Sequence, residues 1–101
     1  MDNKLMVLEE LLLSDNGLLV SLRLGDGLKQ DKVEMICKLL EELAKDWASI
    51  DCIPKKAVDL FIDFYPAMES SCGLYNEEEQ LLIMDVADKI MDLIRQCVTS
   101  N

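Results

Sequence analysis

Apolar residues recur along the chain at the three- and four-residue spacing of amphipathic helices, and the longest such stretch is 76–98. At about 100° per residue it gathers Leu82, Ile83, Val86, Ala87, Ile90, Met91, Leu93, Ile94, Cys97 and Val98 on a wide apolar arc. Asp85, Asp88, Lys89, Asp92, Arg95 and Gln96 share the remainder. So broad an arc predicts a central helix against which the others pack, with one narrow ridge left in water. Asn76, with Glu79 three places on, forms a capping-box pattern for the amides of its first turn, and Glu77, Glu78 and Glu79 complement the helix dipole there.

Four other stretches complete the pattern. Leu5, Leu8, Leu11 and Leu12 predict a first helix over 2–13, ended by the turn cluster Ser14, Asp15, Asn16 and Gly17. Residues 17–25 alternate as a strand would, but no other stretch offers a partner, so a short helix or a bent continuation of the first is expected. A helix over 32–49 is expected to start at the capping pair Asp31 and Glu34, with Val33, Ile36, Leu40, Leu43 and Trp47 on one side. Its outer face offers two acid-first ion pairs at four-residue spacing, Glu34 with Lys38 and Glu41 with Lys45. Pro54 suits the first position of the next helix, which turns Ala57, Leu60, Phe61, Phe64 and Tyr65 inward. Pro66 is expected to end or kink it, with a further short turn over 67–72. The fold class is therefore all-α: a single domain over 1–101, a bundle of four main helices plus one short extra segment.

Composition agrees with one small core, since half of the 101 residues are apolar. Charge adds more. Twenty acidic against ten basic side chains and no His give a net charge of −10. Such a surface repels nucleic acid and anionic lipid and attracts basic proteins. No apolar run approaches the about 18–20 residues that span a bilayer. Met1, Asp2, Asn3 and Lys4 lack the basic head and apolar middle of a secretory signal, so a cytoplasmic location is expected.

The absence of His removes Ser-His and Cys-His nucleophile pairs and the His-bearing metal sites. Cys37, Cys52, Cys72 and Cys97 are separated by 15, 20 and 25 positions, with no C-x-x-C pair. They read as reduced thiols, with a two-disulfide scaffold as the alternative. Gly25, Asp26 and Gly27 lack the Gly and Lys of a phosphate loop. No catalytic residue, cofactor or metal is expected, and the chain is expected not to be an enzyme.

Binding is what remains. Asp85, Asp88 and Asp92 fall within about 60° of one another on one helix face, with Glu78 a turn before, as an anionic ridge suited to a Lys- or Arg-rich surface. The ordinary reading of such carboxylates is a solvated helix face. The expectation is a small acidic module that binds and neutralises a basic protein, of immunity or antitoxin type. The alternative is a helical oligomerisation or adaptor module, a homodimer among its forms, assembling through Leu18, Leu19 and Leu22 should they exceed what one core covers.

Overall fold

Five α-helices and one 3-10 turn form the computed structural model, which describes residues 3–99. They are α1 (Asn3–Leu13), α2 (Leu18–Arg23), α3 (Gln30–Asp46), α4 (Lys55–Ser71), the 3-10 turn Cys72–Leu74, and α5 (Glu77–Val98). Among the described residues there is no strand, and the four long helices and one short segment are those the hydrophobic spacing calls for. Asp2, the expected first residue of the opening helix, lies outside the described residues.

Neighbouring helices close a ring. α1 packs on α3, α3 on α5, α5 on α4, α4 on α2, and α2 back on α1, with the α3/α5 seam the most extensive. Inside the ring Leu8 and Leu12, Ile36 and Leu40, Phe64, and Ile90 and Ile94 meet around a void of only about 10 Å³. All the buried apolar side chains belong to one core. α5 is therefore one wall of the ring, not its hub. Its buried stripe is narrower than the sequence suggests: Ile83, Ala87, Ile90, Ile94 and Cys97 are covered, while Leu82 is 57% and Val98 51% exposed. Both stand at the edges of the arc.

Leu18, Leu19 and Leu22 do not form an exposed apolar contact; they are 0%, 4% and 0% exposed. The reason is the ring itself. α2 wedges between α1 and α4, so both of its broad sides are covered, while Arg23 and Leu24 at its end face water. Gly17 makes the α1/α2 corner, and Tyr75 locks the other end of α2. The Tyr75 hydroxyl donates to the Leu22 carbonyl at 2.8 Å and accepts the Gly27 amide at 3.1 Å. Because both partners are part-buried backbone groups, Tyr75→Phe is expected to destabilise the protein by about 1–3 kcal/mol, at roughly 0.5–1.5 kcal/mol per hydrogen bond. Urea unfolding reads this directly, and a loss within about 0.3 kcal/mol would show the hydroxyl to be idle.

The two expected capping boxes fare differently. At α5 the box closes as expected: Asn76 Oδ1 accepts the Glu79 amide at 2.9 Å, and Glu79 Oε1 accepts the Asn76 amide at 3.4 Å. At α3 the helix begins earlier, with Lys29 at the cap and Asp31 inside the first turn. Leu28 just outside the cap and Val33 in the second turn both pack on the core, the hydrophobic-staple arrangement, and this sets the start ahead of Asp31. The other end of α3 stops at Asp46, short of Ser49, and Trp47 just past it packs edge-on to Phe61, with ring centres 6.5 Å apart.

Pro66 neither ends nor splits α4, which runs on to Ser71, so no separate turn forms over 67–72 apart from the 3-10 turn after it. Pro66 sits on the exposed side, where the carbonyl that loses its amide can meet water, while Phe61, Phe64 and Met68 hold both halves of the helix on the core.

Candidate functional site

The ridge stands where the helical spacing puts it. Glu78, Asp85, Asp88 and Asp92 are all exposed on one side of α5, away from the buried stripe of Ile83, Ala87, Ile90 and Ile94. α5 carries six acidic and two basic side chains. Asp92 accepts from Arg95 Nη1 at 3.3 Å, an i,i+3 pair whose side chains are both at least 70% exposed, so it adds little stability and exchanges readily. Asp88 Oδ1 accepts the Tyr65 hydroxyl of α4 at 3.4 Å. Partial burial, followed by the Asp88 carboxylate beside it, pushes the Tyr65 phenol above its ordinary range. The face is not purely acidic, since Leu81 and Leu82 stand exposed among the carboxylates.

Other cations are engaged away from α5. Lys4 Nζ of α1 donates to Asp46 at 2.7 Å and lies 3.6 Å from Glu42, both on α3; the Asp46 hydrogen bond is the main cause of its raised pKa. Lys56 Nζ at the start of α4 reaches Glu9 of α1 at 3.0 Å. The expected Glu34/Lys38 and Glu41/Lys45 pairs do not close among the described residues, the ion pairs there being those of Lys4, Lys56 and Arg95. Solvent-exposed side chains on α3 gain too little from pairing to offset the lost rotamer freedom.

Beside the ridge lies a feature absent from the sequence reading: an open groove of about 470 Å³ between α4 and α5. Val58, Ile62 and Tyr65 form one wall and Met91, Arg95 and Val98 the other, over a floor of Phe61 and Ile94. It runs into a second hollow of about 450 Å³ bounded by Tyr65, Met91, Arg95, Asp88 and Asp92. Val58 and Ile62 carry the signal that could have revealed it. They sit at four-residue spacing with no place in the inward set of α4, which the core residues Ala57, Leu60, Phe61 and Phe64 already fill. A further cleft of about 740 Å³ between α3 and α5 is edged by Lys38, Glu41, Glu42, Lys45, Gln96 and Thr99, with charges of both signs beside Ala44 and Ala48.

All four cysteines are free, which removes the disulfide alternative. Cys37 and Cys97 are buried, Cys52 is exposed and Cys72 intermediate. Burial pushes the Cys97 thiol up to about 11, and its Sγ donates to the Leu40 carbonyl at 3.3 Å. Since only the thiolate reacts, iodoacetamide at about pH 8 is expected to alkylate Cys52 first and Cys97 last, with Cys97 modified only as the protein unfolds. Mass-spectrometric time courses check the order, and early loss of the Cys97 thiol would contradict this packing.

Among the described residues no group of three His, Cys, Asp or Glu side chains is placed to hold a metal ion. Among them also, no helix is long and apolar enough to cross a membrane. Comparison with protein-family models, curated proteins and solved structures finds no match to this chain.

Proposed function

We propose that the chain is a non-catalytic, cytoplasmic protein-binding module of immunity or antitoxin type, whose α5 face engages and neutralises a basic protein. The observation that carries this reading is the solvent exposure of Glu78, Asp85, Asp88 and Asp92 on one side of a single helix, in a chain of net charge −10. Lys4 and Lys56 pair with acids of α3 and α1, so α5 keeps its six acidic side chains against only its own Lys89 and Arg95. Opposed charge of this kind raises association rates and rejects anionic competitors such as nucleic acid. The burial of Leu18, Leu19 and Leu22 inside the ring favours this reading over the alternative of an oligomer assembled through those three side chains.

The test is affinity capture by the tagged protein from a lysate at about 0.05 M and about 0.5 M salt, where screening of exposed charge differs severalfold. Strongly basic proteins held at the lower salt and released at the higher are expected. Retention of acidic or neutral proteins only, or retention indifferent to salt, would sink the reading.

A further inference from the structure

The α4/α5 groove specifies what kind of basic partner fits. Its exposed lining is apolar along Val58, Ile62, Met91 and Val98, with Ile62 66% exposed, and its near end opens onto the carboxylates of Asp88 and Asp92. Val58 to Tyr65 spans two helical turns, about 10 Å at roughly 1.5 Å per residue. We infer that this groove is the docking site for an amphipathic helix of the partner. The apolar edge of that helix sits between α4 and α5, and its Lys or Arg flank reaches Asp88 and Asp92. The inference rests on the proposed function above and adds the secondary structure and chemistry of the ligand.

Charge selects this occupant over the others an apolar groove could take. A second copy brings another −10 against the first, and an anionic lipid surface is repelled in the same way. A helix with one apolar stripe and basic flanks satisfies both halves of the site. A groove between two packed helices receives a third through side chains at i, i+3, i+4 and i+7. The backbone adds an acceptor: Pro66 has no amide to offer the Ile62 carbonyl, which therefore lacks its usual i+4 bond at the rim of the groove. The exposed Arg95/Asp92 pair is weak enough for an incoming Arg to take over Asp92 while the Arg95 stem stays against the apolar wall.

Three synthetic peptides of about five helical turns test this. One carries Leu at i, i+3, i+4 and i+7 with Lys on the flanks, the second has the same composition scrambled to destroy the apolar stripe, and the third has Glu in place of Lys. Titration of the isotope-labelled protein at low salt is expected to shift the signals of Val58, Ile62, Met91 and Val98 with the first peptide only, at least about tenfold more tightly than the scrambled one. Ile62→Lys, at an exposed position that leaves the core intact, is expected to lower that affinity by at least about tenfold, and Ile62→Ala by less. Equal binding of the first two peptides, confined to the α5 carboxylates, would overturn the groove and leave the acidic-face reading standing. No binding of either basic peptide would overturn both. A dimer seen by sedimentation and abolished by Ile62→Lys would make the occupant a second copy and equally overturn the inference.

Discussion

Phe64→Ala is expected to destabilise the protein by about 3–5 kcal/mol, the largest effect of any single truncation in this core. Phe64 is 1% exposed and stands on α4 facing Leu8 and Leu12 of α1, Ile36 and Leu40 of α3, and Ile90 and Ile94 of α5. Removing the ring therefore opens a hole walled by four helices. None of them can close it alone without breaking a seam elsewhere in the ring, so the cavity contribution adds to the lost transfer free energy. A chain of this size has a total stability of about 5–15 kcal/mol, so the variant will have lost much of its margin. Chemical denaturation with far-ultraviolet circular dichroism measures it. A loss below about 1 kcal/mol would mean that the helices are not arranged around this residue.

Gly17→Ala is expected to come second, at about 1–3 kcal/mol or somewhat more, although Gly17 has an ordinary backbone conformation with φ −70°. The cause is space. A Cβ there would lie 2.7 Å from both the carbonyl carbon and oxygen of Leu12 and 2.9 Å from the Leu13 nitrogen, all backbone atoms with no rotamer to retreat into. The corner is also pinned by the Gly17 amide donating to Ser14 O at 2.8 Å and by the Ser21 amide donating to Gly17 O at 2.9 Å. Relief therefore requires α2 to move away from α1, which unseats Leu18 and Leu22. Gly73→Ala, with open space around its Cβ, is the control and should change stability by no more than about 0.5 kcal/mol. Similar unfolding midpoints for the two variants would contradict the close approach at the α1/α2 corner.

What could be read from the sequence was local. The Asn76/Glu79 box depends on four consecutive residues, and it forms as read. Asp31 and Glu34 offer the same spacing, yet the start of α3 follows Leu28 and Val33, because apolar burial outweighs one side-chain cap. Pro66 does not end α4 for a related reason: the preference against a mid-helix proline is overcome when side chains on both flanks are held in the core and the proline faces water. The exposure of Glu78, Asp85, Asp88 and Asp92 followed from periodicity because a carboxylate is costly to bury and stays in solvent on the face opposite the apolar stripe. Periodicity says which residues share a face, not how much of it other elements cover. Leu82 and Val98 consequently emerged into water, Leu18, Leu19 and Leu22 were enclosed, and the Val58/Ile62 wall of the groove was missed.

The claim on which the functional account rests is that the carboxylates of α5 select the partner by charge. Its most direct test is the rate at which a captured basic protein associates with the wild type and with the Asp85→Lys, Asp88→Lys, Asp92→Lys triple variant. All three positions are exposed, and unchanged circular dichroism and melting would establish that the fold is retained. A fall in association rate of about 10- to 1,000-fold is expected in the variant at low ionic strength, shrinking as salt is raised. An association rate unchanged by the triple reversal would contradict it.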